Sequence, residues 1–231
     1  MNKAEKAIPA VYSAVYATGA VVFLLCLGLE YSGIFRTAAK AVPVVTLLVL
    51  VLSRMQGTAR ICLAGALFGS LCGDILLDLP QAGVFLYGLL AFLAGHLLYM
   101  VLFFRYAESP AAFEKAAAAG LVLFALLMIL LFRGIDPALY GPVVCYILVI
   151  VAMSIGALLV PSAGRLLFAG ALLFIASDLV LAVNRFLLDI PYGRLFNIGL
   201  YYTAQYLMIF AARGIWRGGA MAEPEPAALS R

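Results

Sequence analysis

Residues 59–79 read ARICLAGALFGSLCGDILLDL, and this stretch decides the fold class. It is long enough to cross a hydrocarbon layer about 30 Å thick, which takes roughly 20 mostly apolar helical residues. Its glycines Gly65, Gly69 and Gly73 share one helical face, and Asp74 follows them directly. The rest of the chain is similar, with 66% hydrophobic residues, 11% charged residues and a mean hydropathy of +1.13. A soluble domain is about half apolar and a quarter charged, so we predict an all-α, polytopic membrane protein.

Seven further stretches of this kind flank the first one, each ended by charge, glycine or proline. The eight predicted helices cover residues 8–29, 37–53, 59–79, 83–104, 116–132, 139–160, 165–186 and 195–213. We expect them to form one transmembrane domain over residues 1–214, followed by a short disordered cytoplasmic tail over residues 215–231. The first apolar run is too long for a secretory signal and lacks a small-x-small cleavage site, so we interpret it as an uncleaved helix.

The distribution of lysine and arginine predicts the orientation, because basic residues resist translocation. An even number of spans places both termini on one side, and that side carries ten basic residues against five on the other. We therefore expect both termini in the cytoplasm. The net charge of +4 follows from this topology and is no indication of nucleic acid binding. Short loops and the lack of a sorting signal favour a bacterial plasma membrane.

The third and seventh predicted helices share a short motif, Gly73-Asp74 in one and Ser177-Asp178 in the other. In both, a small residue and an aspartate precede an apolar run. A shift of four helices preserves direction through the membrane, so the motif predicts a parallel repeat of two four-helix halves. A chance match is the alternative.

Two acidic residues of the third helix lie one turn apart. An ionisable side chain inside a membrane span costs free energy, so each one is a candidate for a structural or functional role. Asp74 lies deep beside the glycine ridge, where a second helix can pack backbone to backbone, and we expect its carboxylate to face the bundle. Asp78 lies near the helix end, where a solvated interfacial carboxylate is the alternative to a role in a site.

The fourth and eighth helices also carry polar groups inside their spans. His96 and Tyr99 share a face of the fourth helix, and a lone buried histidine is more often a hydrogen-bonded structural residue than a catalyst. The eighth helix offers Tyr201, Tyr202 and Gln205.

The seventh helix carries two polar stripes. Ser177 and Asn184 form one, and Asp178 and Arg185 form the next. Asp178 is either a site residue or a carboxylate neutralised by Arg185 through a water. Lys40, at the outer end of the second helix, would by default extend to the headgroups.

These unusual polar residues come from independent helices but lie at similar predicted depth. With both termini inside, Asp74, Asp78 and Asp178 fall in the outer halves of their helices. We expect one shared cavity that opens toward the non-cytoplasmic side.

Five motifs, taken in order, resemble those of a known family, the lysoplasmalogenase-like integral membrane proteins or YhhN family. They are Lys40, Gly73-Asp74, His96-x-x-Tyr99, Phe174-x-x-Ser177-Asp178 and Tyr202-x-x-Gln205. The resemblance covers roughly residues 12–212. One departure concerns Lys40, because Pro43 follows it three residues later, whereas the family often has proline directly after the lysine.

The resemblance implies hydrolysis of the vinyl ether bond of a lysoplasmalogen, a lysophospholipid, within the lipid bilayer. Protonation of the β-carbon needs an acid and a nearby negative charge, and two carboxylates in different surroundings can divide these roles. We expect Asp74 and Asp178 to be this pair, without assigning which is the acid. His96 would shuttle the proton or orient the water, with Tyr99 holding its ring. The expected substrate-binding residues are Lys40, Asp78, Tyr99, Ser177, Asn184, Arg185, Tyr201, Tyr202 and Gln205. Among the basic residues, Lys40, Arg185 and Arg194 are the expected partners of the lipid phosphate.

Other functions stay open from the sequence. A zinc site of His96, Asp74 and Asp178 would be an unusual ligand set, and we predict neither metal nor cofactor. Acidic residues near mid-membrane also suit a proton-coupled transporter, and an inert polar core would suit a lipid-binding or structural protein. The four cysteines, Cys26, Cys62, Cys72 and Cys145, lack metal-ligand spacing and are predicted to be small packing residues.

Overall fold

The computed structural model describes residues 3–79, 81, 83–161 and 164–217. These residues form eight α-helices and a short 3₁₀ helix at Phe132–Gly134, and they contain no strand. The α-helices are α1 (Lys3–Gly28), α2 (Ile34–Arg54), α3 (Gly57–Asp78), α4 (Val84–Arg105), α5 (Ala112–Leu131), α6 (Pro137–Leu158), α7 (Gly164–Phe186) and α8 (Gly193–Arg217).

Seven of these helices, α1 to α7, are long and apolar enough to cross a membrane. The eighth, α8, has 25 residues and is therefore about 38 Å long, but it is less apolar. Several of its polar side chains, including Tyr201, Tyr202 and Gln205, are buried against other helices. The prediction of an all-α integral membrane protein is confirmed.

The predicted helix boundaries lie within five residues of those in the structure. The largest differences are at the starts of α1 and α5, which begin at Lys3 and Ala112, and at the end of α8. Helical residues can extend beyond the apolar slab, and Glu114 and Lys115 are good helix formers, so the apolar run of α5 marks its start too late. In the structure α8 continues to Arg217, beyond its predicted end at residue 213, and the disordered tail stays a prediction. Residues 218–231 lie outside the described residues.

The helix contacts close a ring. Each of α1, α2 and α3 packs on the next helix, α4 packs on α6, α6 on α7, α7 on α8, and α8 returns to α1. The remaining helix, α5, packs against α6. The two most extensive helix pairs are α3–α4 and α7–α8, which correspond under a shift of four helices. The parallel repeat stays a prediction.

The glycine ridge of α3 packs against α4 as its spacing predicted. A Cβ atom at Gly69 would lie 2.8 Å from the carbonyl oxygen of Ala91 and 3.0 Å from the backbone nitrogen of Gly95. A Cβ at Gly73 would collide with the ring of Phe92. The two backbones therefore approach directly, and this fixes the position of Asp74 relative to α4.

Candidate active site

A cavity of about 310 Å³ brings the two predicted catalytic carboxyl groups together. Its apolar wall comes mainly from α4, α5, α6 and α7, with Phe92, Met128, Ile150 and Leu179 among the lining residues. Its polar lining comes from α2, α3, α6, α7 and α8. The polar lining residues are Lys40, Asp74, Tyr146, Ser177, Asp178, Asn184, Arg194, Asn197 and Tyr201.

Asp74 is held by a cation and a hydroxyl. The Nζ atom of Lys40 lies 3.3 Å from Oδ1 of Asp74 and donates to its backbone carbonyl oxygen at 2.7 Å. The Tyr201 hydroxyl donates to Oδ2 at 2.7 Å. The side chains of Lys40 and Asp74 are only 5% and 3% exposed. The expectation that Lys40 extends to the headgroups is therefore wrong, because its ammonium group compensates a buried carboxylate.

Tyr202 contacts the backbone of Lys40 but does not line the cavity. Its hydroxyl donates to the carbonyl oxygen of Lys40 at 3.0 Å. Tyr16 in turn donates to the carbonyl oxygen of Tyr202 at 2.6 Å. These bonds tie α1, α2 and α8 together and fix the backbone from which Lys40 extends.

Asp178 has a neutral partner. Its Oδ2 atom accepts a hydrogen bond from the Tyr146 hydroxyl at 2.7 Å, and no salt bridge to Asp178 is found within the described residues. The structure does not support its neutralisation by Arg185, whose guanidinium carbon lies 5.2 Å from the ring centre of Phe85. Arg185 does not line the cavity, since it extends toward α4.

Ser177 and Asn197 join α7 to α8 beside Asp178. The Ser177 hydroxyl donates to the carbonyl oxygen of Asn197 at 3.0 Å. The Asn197 amide donates at 2.9 Å to both Oγ and the carbonyl oxygen of Ser177. Nearby, Oδ1 of Asn184 accepts from the backbone nitrogen of Ile190 at 2.8 Å, which shapes the connection between the two helices.

His96 is buried but does not line the cavity. Its Nδ1 atom lies 2.7 Å from the carbonyl oxygen of Phe92. Its ring meets the rings of Phe174 and Tyr146 edge to face, with centroids 4.6 and 5.2 Å apart. Its Nε2 atom has no hydrogen-bond partner within the described residues. His96, Asp74 and Asp178 do not cluster as metal ligands in this part of the chain.

Tyr99 and Gln205 belong to a separate buried network. The Tyr99 hydroxyl donates to Oε1 of Gln205 at 2.8 Å, so Tyr99 does not hold the His96 ring as we expected. Gln205 donates to the Ser70 hydroxyl at 2.9 Å. These residues link α3, α4 and α8 and do not line the cavity.

Asp78 lies at the end of α3 within a cluster of charge. It accepts from the Thr37 hydroxyl at 2.7 Å, from Arg36 at 3.3 Å and from Arg194. Its side chain is 1% exposed, so the solvated interfacial carboxylate considered above is wrong. Asp78 does not line the cavity, but it fixes Arg194, which does and whose side chain is 47% exposed.

Residues 35–212 match the YhhN family. This chain belongs to the YhhN family. The lysoplasmalogenase TMEM86B of pig (Sus scrofa) is 34% identical over 199 residues, which cover 85% of this chain and 83% of the relative. Human (Homo sapiens) lysoplasmalogenase TMEM86A is 30% identical over 211 residues, covering 83% and 84%. Rat (Rattus norvegicus) lysoplasmalogenase TMEM86B is 35% identical over 150 residues, covering 65% and 60%. No solved structure matches the chain.

In this YhhN-family protein, our sequence analysis left Tyr146 and Asn197 out of the predicted site, although both line the cavity. Asn197 lies four residues before Tyr201, hence on the same helical face, and that spacing could have identified it. Tyr146 is one of several tyrosines inside the predicted spans. Its partner Asp178 lies 32 residues away, and nothing local indicates the contact.

Proposed function

We propose that this protein hydrolyses the vinyl ether bond of lysoplasmalogens, giving a long-chain aldehyde and a glycerophospho-base. One observation carries the proposal: Asp74 of α3 and Asp178 of α7 line the same cavity with different partners. The names of the YhhN-family relatives supply the substrate class. They do not favour the alternative of a proton-coupled transporter.

The partners of the two carboxyl groups divide the catalytic roles. Asp74 has the ammonium group of Lys40 and the hydroxyl of Tyr201, so it acts as the ionised carboxylate. Asp178 has the neutral Tyr146 hydroxyl and no cation among the described residues. A charge without a counter-ion is costly in an apolar cavity, so Asp178 acts as the proton donor.

The reaction follows from this division. Asp178 protonates the β-carbon of the vinyl ether, and the double bond becomes an oxocarbenium ion stabilised by the carboxylate of Asp74. Water adds to the cationic carbon while Asp74 takes one of its protons, which gives a hemiacetal. The hemiacetal collapses when its hydroxyl loses a proton and its ether oxygen gains one, releasing the aldehyde and the alcohol. Proton exchange with solvent then restores both carboxyl groups.

Arg194 is the proposed contact for the lipid phosphate. It lines the cavity, its side chain is 47% exposed, and it lies in the first turn of α8, where helix N-termini favour anions. The ammonium group of Lys40 is engaged by Asp74, so its role is to keep that carboxylate ionised. The alkenyl chain would lie along the apolar wall near Phe92 and Ile150.

The decisive experiment measures aldehyde release from a defined lysoplasmenylethanolamine by the detergent-purified protein. An acyl-linked lysophosphatidylethanolamine of the same chain length is the matched control, and each substrate is tested with and without EDTA. We expect aldehyde from the vinyl ether only, with no effect of EDTA. Loss of activity with EDTA would replace the two-carboxylate mechanism with a metal-dependent one, and no aldehyde from a folded, monodisperse sample would refute the function.

Substitution of either carboxylate tests its role. Asp74→Asn and Asp178→Asn should each lower kcat by about 10²-fold or more, the usual contribution of a positioned acid or base. Asp189→Asn is the matched control, since Asp189 is exposed and lies outside the cavity. Wild-type turnover in either of the first two variants, with folding confirmed by size-exclusion chromatography, would refute its assignment.

A further inference from the structure

We propose that Tyr146 is a positioning residue for Asp178, and that His96 acts on the site only through Tyr146. The inference rests on the proposed function, because it concerns the carboxyl group that we assign as the proton donor. Neither side chain needs to touch the reacting atoms for this role.

The first step is the contact between Tyr146 and Asp178. The hydroxyl of Tyr146 donates to Oδ2 of Asp178 at 2.7 Å, and Tyr146 is 9% exposed. It is the hydrogen-bond partner of that carboxyl group among the described residues. With Oδ2 engaged as an acceptor, the transferable proton resides on Oδ1. The bond from α6 to α7 therefore selects which oxygen delivers the proton and holds the carboxyl plane.

The second step is the support of Tyr146 by His96. The carbonyl oxygen of Phe92 can only accept a hydrogen bond, so the proton of the neutral imidazole lies on Nδ1, 2.7 Å from that oxygen. This bond anchors the ring to the backbone of α4. The anchored ring packs edge to face on Tyr146 at 5.2 Å and on Phe174 at 4.6 Å, so it limits the tilt of the Tyr146 ring.

The third step is the separation of His96 from the substrate. His96 is 2% exposed and is absent from the cavity lining, whereas Phe92 and Tyr146, on which it packs, both belong to that lining. Its Nε2 atom has no hydrogen-bond partner in the described part of the chain. A proton carrier would need a path from this nitrogen to the cavity. Of the three aromatic side chains on which His96 packs, Phe92, Tyr146 and Phe174, Tyr146 is the one that hydrogen-bonds to Asp178.

The test of Tyr146 compares two tyrosines of α6. Tyr146→Phe removes the hydroxyl and keeps the ring, so kcat should fall about tenfold to a hundredfold, as expected for a lost hydrogen bond to a charged or reacting group. KM should change by less than about twofold. Tyr140→Phe is the control, because among the described residues the Tyr140 hydroxyl donates to the carbonyl oxygen of Ile129 at 3.4 Å and not to a cavity residue. Equal effects of the two substitutions, or a rise in KM at unchanged kcat, would overturn the proposal.

A double-mutant cycle tests whether His96 acts through Tyr146. His96→Gln should lower kcat on its own, and His96→Gln combined with Tyr146→Phe should be no slower than Tyr146→Phe alone, within about twofold, because residues of one unit are not additive. If the loss of kcat in the double variant equalled the product of the losses in the two single variants, His96 would contribute independently of Tyr146, and the proposal would be wrong.

One measurement does not depend on activity. The chain has a single histidine, so the imidazole ¹⁵N resonances of labelled protein in detergent micelles belong to His96 alone. We expect the neutral tautomer with hydrogen on Nδ1, and the Nε2–H tautomer would overturn the anchoring of the ring. If the wild-type protein released no aldehyde, the proposed function would fail, while this spectrum would still decide how His96 is held.

Discussion

The ion pair between Lys40 and Asp74 is buried inside the ring of helices. Lys40→Met would leave the Asp74 carboxylate buried without its cation, and removal of one member of such a pair typically costs about 3–5 kcal/mol. We expect a large drop in the thermal unfolding temperature, measured by scanning calorimetry in detergent. Lys40→Met combined with Asp74→Asn should recover much of the loss, because neither buried charge then remains. A single variant as stable as the wild type would contradict the buried pair.

The sequence identifies the charged residues of the site but not their partners. Asp74 and Asp178 stand out because carboxylates inside apolar spans are costly and rare. The Tyr201 hydroxyl that binds Asp74 lies 127 residues away. Lys40 shows the limit most clearly: its position at a helix end predicts a contact with headgroups, and only the packing of α2 against α3 turns its ammonium group inward.

At the scale of single helices, the close approach of α3 and α4 makes Gly69 hard to replace. A Cβ atom there would lie 2.8 Å from the carbonyl oxygen of Ala91, and backbone atoms cannot move aside as a flexible side chain can. Gly69→Ala should therefore destabilise the protein by about 1–3 kcal/mol, the usual cost of overpacking.

The control for Gly69→Ala lies on α5. A Cβ atom at Gly120 would meet nothing within 4 Å, so Gly120→Ala should have no effect or raise stability by up to about 1 kcal/mol through helix propensity. Both variants are compared with the wild type by thermal unfolding in the same detergent. Equal stability of the two variants would mean that α3 and α4 are not in backbone contact.

Hydropathy predicts the helices well because each apolar run must match the bilayer. It is least informative for α8, several of whose polar side chains face other helices. Tyr201 and Gln205 are 3% and 0% exposed. The Tyr201 hydroxyl donates to Asp74, while the Gln205 amide donates to Ser70 and accepts from Tyr99. A hydropathy scale scores each side chain by its type alone, so it scores these two as if they faced lipid.

For the whole molecule, the order of helices around the ring lies beyond what the sequence predicts. The contact of α1 with α8, and the contact of α4 with α6 past α5, join segments that are distant along the chain. No local pattern encodes them. The one global feature that the predicted spans and topology do give is that the carboxylates of α3 and α7 lie at similar depth, which is the basis for expecting the cavity that they share.

The helix packing also places Arg194 at one end of the cavity, and the side of the membrane that this end faces is the side from which a lipid would enter. The start of α2, the end of α3 and the start of α8 meet in the cluster of Arg36, Asp78 and Arg194, so the Arg194 end of the cavity faces the side that carries the α1–α2 connection. The excess of basic residues on the opposite side predicts that this end is non-cytoplasmic.

Cysteine labelling tests this orientation. In a background without the four native cysteines, Ser32→Cys and Ser109→Cys each place one thiol in an exposed connection, on opposite sides of the bundle. On intact cells, a membrane-impermeant maleimide should label the cysteine at position 32, and the one at position 109 only after lysis. The reverse pattern would place the Arg194 end of the cavity in the cytoplasm, and the lysolipid would then have to come from the inner leaflet. Labelling of both positions on intact cells would instead mean that α2, α3 and α4 do not all cross the membrane, because these three spans separate the two connections.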